Sequence, residues 1–108
     1  MTEWIQIVTT LGEPTDAERI ARYLVEFRLA ACVQVEGPIQ SYYRWKGVME
    51  TAREWRCHIK TASHLYGEVQ DAIRRLHPYE LPEIVAYPLS EILPEYRSWM
   101  EESLKGND

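Results

Sequence analysis

Residues 32–62 read CVQVEGPIQSYYRWKGVMETAREWRCHIKTA, and the reading of this stretch decides the fold. Val33, Val35, Ile39, Tyr43 and Trp45 fall at odd positions. Beyond Lys46-Gly47-Val48, the odd positions continue as Met49, Trp55, Cys57 and Ile59. Glu36, Arg44, Glu50, Glu54, Arg56 and Lys60 take the even positions. Alternation of period two through two arms predicts a long β-hairpin with one apolar and one wet face. Gly37-Pro38 interrupts the first arm and predicts a bulge or bend.

The flanking segments alternate between strand and helix patterns. Trp4–Thr10 is rich in β-branched residues and reads as a strand. Residues 11–14 read as a turn, and Thr15-x-x-Glu18 as a capping box. Ala17, Ile20, Ala21 and Leu24 recur at helical spacing, so a helix runs to about Arg28. Ser63 is the expected N-cap of a second helix, with Leu65, Tyr66, Val69, Ala72, Ile73 and Leu76 on one stripe. Pro78 ends it at His77. Residues 83–87, EIVAY, read as a central strand. A last helix covers Pro94 to Leu104, supported by Glu101 and Lys105 at i,i+4 spacing, and Gly106 stops it. The order is β-α-β-β-α-β-α: an α+β, ferredoxin-like arrangement with a C-terminal helix.

The chain has 108 residues, which is one domain over 1–108. Its 17 acidic and 12 basic residues leave a net charge of −5. That balance disfavours nucleic acid and anionic membrane surfaces, which call for clustered cations. No apolar run reaches the length of a membrane span. The N-terminus has no basic-then-apolar leader, so a cytoplasmic location is expected. Two cysteines are too few for a disulfide framework. Carrying the hairpin parity around a loop at 46–48 sets Cys32 opposite about residue 62 and Cys57 opposite about residue 37. The two thiols then lie on opposite faces and share neither a disulfide nor a metal.

Fully extended, residues 33–45 span about 43 Å, whereas a compact domain of this length is about 34 Å across. The hairpin should therefore overhang its domain and carry Tyr42, Tyr43, Trp45 and Met49 to the tip. So much exposed aromatic surface calls for a cover, and a second copy of the chain is the simplest one. The alternative is a hairpin that folds back at Gly37-Pro38 onto its own domain.

Signals for chemistry are sparse. His77-Pro78-Tyr79-Glu80-Leu81-Pro82-Glu83 is a loop stiffened by two prolines. A His with a nearby carboxylate suits copper or zinc. The competing reading is a helix-ending turn with a solvated His. No serine or cysteine sits in a nucleophile motif, so no enzyme is expected. Tyr96 and Trp99, at i,i+3, read as packing residues of the last helix.

Several segments also resemble one family jointly. Arg28-Leu29-Ala30-Ala31-Cys32-Val33 is followed by Ser41-Tyr42-Tyr43-Arg44-Trp45-Lys46-Gly47. Then come Glu50, Lys60-Thr61, His77-Pro78-Tyr79-x-x-Pro82-Glu83-Ile84 and Tyr96-x-x-Trp99. In order and spacing they are similar to the divalent-cation tolerance proteins called CutA. The resemblance implies a homotrimer locked by long hairpins, cytoplasmic, non-catalytic and tied to the response to divalent metal ions. No cofactor is required, and Cu(II) or another divalent cation is the implied ligand. In the family's copper pattern a Cys ends the first strand and a His-His pair precedes Pro-Tyr. Here Thr9 and Leu76 stand at two of those positions, and His77 alone carries over.

His77 and Glu83 are thus the expected metal-binding pair. Tyr43, Trp45, Glu50, Lys60, Tyr79 and Trp99 are the expected walls of a cleft or interface between subunits. Two other functions fit the same architecture. One is a sensor like the PII signalling proteins, binding a small anionic ligand between subunits. The other is a structural trimer that supports another protein.

Overall fold

The computed structural model describes residues 3–106. Strand β1 (Trp4–Leu11), helix α1 (Pro14–Glu26), strands β2 (Cys32–Trp45) and β3 (Val48–Ala62), helix α2 (Tyr66–Leu76), strand β4 (Val85–Pro88) and helix α3 (Pro94–Ser103) follow in the expected order. One antiparallel sheet runs β2-β3-β1-β4. The run at 83–87 was expected at the centre of the sheet. It is instead a short edge strand, exposed throughout, because β1 takes the place between β3 and β4.

Helices α1 and α2 cover the sheet face that carries Ile7, Leu11, Cys57 and Ile59. Ile20 and Leu24 of α1 and Val69 and Ile73 of α2 pack there without solvent exposure. Each such side chain contributes about 1.5–3 kcal/mol of burial. A second cluster joins Trp4, Ala31, Ala62, Leu65, Met100 and Leu104 and docks α3 at one end of the sheet. Arg28, at φ 60°, fastens that helix. Its guanidinium donates to the carbonyls of Glu102 at 2.8 Å and Ser103 at 3.2 Å. A cation at a helix C-terminus satisfies carbonyls that have no intrahelical donor.

The helix starts differ from the expected caps. Pro14 is already inside α1, and Glu13 precedes it without a side-chain cap. Thr15 is therefore too deep to cap, and Glu18 accepts from Arg22 at 3.0 Å instead. The fixed φ of Pro14 suits the first turn, where its missing N–H is not needed. Ser63 opens a 3-10 turn, Ser63–Leu65, and makes no capping bond; α2 starts at Tyr66. Lys105, beyond α3, donates to Glu68 at 2.7 Å.

The hairpin turn has two residues, Lys46 and Gly47, at φ 50° and 83°. Two left-handed residues are what a tight hairpin of matching twist needs. Pairs run in one register from Trp45↔Val48 to Ile39↔Glu54, then in another from Glu36↔Arg56 to Cys32↔Lys60. Gly37 and Pro38, joined by a cis bond, therefore stand against Trp55 alone. This miscount overturns the expected parity. Ile39, Tyr43 and Trp45 pair with Glu54, Glu50 and Val48, while Met49 pairs with Arg44. Cys32 pairs with Lys60 and Cys57 with Val35; both are free thiols and lie on opposite faces, as expected.

The domain measures 47 × 25 × 22 Å, and the hairpin extends rather than folding back. Tyr42 at 70% and Met49 at 66% exposure hold the tip in solvent within one chain.

At the bulge, a Cβ on Gly37 would lie 2.5 Å from Trp55 Cδ1 and 3.0 Å from its Cα. Gly37→Ala should lower stability by about 1–3 kcal/mol through overpacking, read as a lower urea midpoint. An unchanged midpoint would show that Trp55 can yield there.

Candidate functional site

His77 sits where α2 ends, at φ −80° and ψ 132°, the extended geometry that Pro78 imposes on its predecessor. This turns its ring inward against β1, where it is only 8% exposed. Nε2 lies 2.8 Å from the carbonyl of Thr10, and the Tyr79 N–H reaches Nδ1 at 3.1 Å. A carbonyl only accepts, so Nε2 carries the proton and Nδ1 is the acceptor. The imidazole is neutral with both nitrogens engaged. Burial pushes its pKa down, against the pull of the Thr10 carbonyl and of Asp16 and Glu54. A solvated His, the competing reading, is not found.

Tyr79 follows on the same loop. Its ring lies 4.7 Å from that of His77, and its hydroxyl donates to Glu54 Oε2 at 2.8 Å. Burial, and then the Glu54 carboxylate, push the phenol well above the usual tyrosine range. Gly12 makes room for the contact: a Cβ there would meet the Tyr79 hydroxyl at 3.2 Å. Glu54 is only 6% exposed. The even-face reading placed it in solvent; the bulge and the Tyr79 loop cover it instead. Period-two patterning carries no signal for such a contact, because it crosses from β3 to a loop 25 residues away.

Tyr43 of the arm lies within electrostatic reach of Tyr79, and Glu50 faces Tyr43 across the ladder. Trp45 stays at the tip, with Lys46 Nζ 5.7 Å from its ring. Glu83 is exposed. Lys60 lies six residues, roughly 20 Å, along β3 from Glu54, and donates to Gln34 at 2.7 Å. Trp99 on α3 is 45% exposed, its ring 5.2 Å from Tyr96. Burial, and then the nearby Cys32 thiol, push the Tyr96 phenol up; Cys32 stands opposite Lys60. Within one chain the structure thus gathers His77, Tyr79 and Tyr43, adds Glu54, and leaves Lys60 and Trp99 at the other end of the sheet.

The face of the sheet turned away from α1 and α2 carries a second polar network. Gln6 donates to His58 Nδ1 at 3.3 Å, and His58 Nε2 meets Glu36 Oε1 at 2.6 Å. Arg56 adds a contact to Glu36 at 3.4 Å. The hydrogen bond from His58 holds the Glu36 carboxyl below the usual carboxylate range. Strand parity already set His58 opposite in face to Cys57, but its partners come from β1 and β2.

Among the described residues, no group of three or more His, Cys, Asp or Glu side chains is placed to hold a metal ion. A metal at His77 would need Nδ1 to give up the Tyr79 N–H. Thr9, where the copper pattern has a Cys, is fully buried.

Two outcomes follow from this knot. Tyr79→Phe strips a donor from buried Glu54 and should cost about 1.5–3 kcal/mol; in the Glu54→Gln background the cost should shrink, as a double-mutant cycle of urea midpoints would read. A lowered His77 pKa means that the unfolded chain takes up the proton first. Its stabilisation is complete above about pH 6.5 and is lost as pH falls. Between about pH 7.5 and about pH 5.5, the urea midpoint should drop more in the wild type than in His77→Gln. Parallel curves would show that His77 is not the acid-sensitive group.

The family model of the CutA1 divalent ion tolerance protein matches residues 5–103. A divalent-cation tolerance protein CutA of Thermus thermophilus is 39% identical over 101 residues, spanning 94% of this chain and 97% of its own. The solved structure of CutA from Xylella fastidiosa superposes with a TM-score of 0.91 at 38% identity, covering 94% of this chain and 98% of that one. That of Archaeoglobus fulgidus, described as a periplasmic divalent cation tolerance protein CutA, gives 0.88 at 38% identity, over 95% and 98% of the two chains. With matches this extensive over a ferredoxin-like sheet and an overhanging hairpin, the chain belongs to the CutA1 divalent ion tolerance family.

Proposed function

We propose that this protein acts as a non-catalytic homotrimer in the tolerance of divalent metal ions. The observation that carries this reading is the projecting hairpin, whose Tyr42, Tyr43, Val48 and Met49 are exposed in a single chain. Both outer strands support it, since among the described residues β2 pairs only with β3 and β4 only with β1. Unpaired edges invite another chain. When two different edges pair head to tail, the contact repeats around an axis until the ring closes. The family's name for ion tolerance, rather than for a reaction, supports the non-catalytic role.

In this assembly Tyr43, Trp45, Glu50, Lys60, Tyr79 and Trp99 wall the clefts between subunits. Residues that one chain keeps apart then meet across the boundary. Copper binding at His77 and Glu83 is weak, because Nδ1 must first release the Tyr79 N–H. The reading places the chain in the cytoplasm, in keeping with its free thiols. A second reading, a sensor of small anions, is favoured by Lys60, Arg56 and His58 standing together on the open face of the sheet.

Light scattering of the purified protein should give the mass of three chains. Trp45→Ala should shift the balance toward single chains, by about 3–5 kcal/mol if the ring is fully buried between subunits. A monomeric wild type would overturn the assembly. Titration of Cu(II) against a weak competing chelator should show saturable binding that is lost in His77→Ala and weakened in Glu83→Gln. Equal binding in all three proteins would remove both residues from the metal site.

A further inference from the structure

A cavity of about 610 Å³ opens where the start of β1, the chain after β4 and helix α3 meet. It lies apart from His77 and Tyr79 and shares no residue with them. The backbone closes one side, with the Leu89 N–H on the Trp4 carbonyl at 2.9 Å. The Trp4 ring, Leu89 and Ile92 form an apolar wall. Glu3, Arg97 and Glu101 supply the charges. The Arg97 guanidinium has no partner among the described residues. Trp4 is only 6% exposed, and its indole N–H has no acceptor among the described residues.

The lining selects a ligand class. The volume falls within the range of small-molecule sites. One free guanidinium asks for a single carboxylate, which it binds in a two-pronged fashion. Two carboxylates in the same lining repel phosphates and other polyanions, and attract an ammonium group. The apolar wall asks for a hydrocarbon body. We propose that this cavity binds a free α-amino acid with a large apolar side chain. Its carboxylate sits on Arg97, its ammonium on the Glu3 side, and its side chain against Trp4, Leu89 and Ile92. The site stands whether or not the metal-tolerance reading holds, because it shares no residue with the His77 region.

The probes are L-phenylalanine, 3-phenylpropionate, which lacks the ammonium, and phenethylamine, which lacks the carboxylate. Calorimetry on the assembled protein should show saturable binding of L-phenylalanine, with each truncated probe weaker by about tenfold or more, as for a lost charge-assisted hydrogen bond. Arg97→Leu should abolish the advantage of L-phenylalanine over phenethylamine, and Glu3→Gln its advantage over 3-phenylpropionate. Arg97 and Glu3 are exposed, so neither change threatens the fold. In ¹H–¹⁵N spectra the Trp4 indole resonance, assigned with Trp4→Phe, should move along the same saturation curve. The indoles of Trp45, Trp55 and Trp99 should stay fixed. Absence of saturable binding at millimolar concentration, equal binding of the three probes, or an Arg97→Leu variant that binds as before would each overturn the proposal.

Discussion

Two residues of β2, Gly37 and Pro38, stand against one residue of β3, Trp55, and that mismatch governs which side chains share a face. Below it, Val33 and Val35 pair with Ile59 and Cys57, whose side chains belong to the buried core. Above it, the ladder slips by one, and Ile39, Tyr43 and Trp45 line up with Glu54, Glu50 and Val48. A strand turns over completely with a shift of one residue. The bulge therefore lets one continuous hairpin serve two ends. Its base lies within the sheet of the domain, and its tip stands exposed within one chain. Only Gly fits at 37, because Trp55 packs where a Cβ would go.

The same slip aligns Glu54 with Ile39, on the face where it meets Tyr79. The acid would be costly to bury alone. It is tolerable because the Tyr79 hydroxyl donates to it, and because Tyr79 is itself fixed through its N–H on His77 and the His77 ring on Thr10. The loop after α2 is thereby tied to β1 and β3 by a chain of hydrogen bonds. The arrangement makes His77 a structural clasp within one subunit. Any ion it meets competes with that clasp, which agrees with a family named for tolerance of ions rather than for a fixed metal centre.

Each end of the sheet has a separate character. The bulge end carries the clasp and the projecting arm, whose Tyr42 and Tyr43 are exposed. The other end is closed by α3, fastened by Arg28 and by the cluster around Trp4 and Met100. A cavity remains beside this closure, lined by Trp4 and by Arg97, whose guanidinium has no partner among the described residues.

By itself the sequence determined the order of elements, the long hairpin with its interruption at Gly37-Pro38, and the overhang of the arm. It also yielded the family, through His77-Pro78-Tyr79 and the motifs around it. These are properties of local periodicity, turn chemistry and chain length, and each is written within a few residues. Tertiary structure alone decided the register on either side of the bulge, the edge position of β4, the burial of Glu54 and the engagement of both His77 nitrogens. The true helix starts, at Pro14 and Tyr66 rather than at the side-chain caps of Thr15 and Ser63, also emerged only there. The physical reason is the same for the buried groups: their partners lie 25 and 67 residues away. Periodicity along one segment says which way a side chain points, but not what the rest of the chain places in front of it.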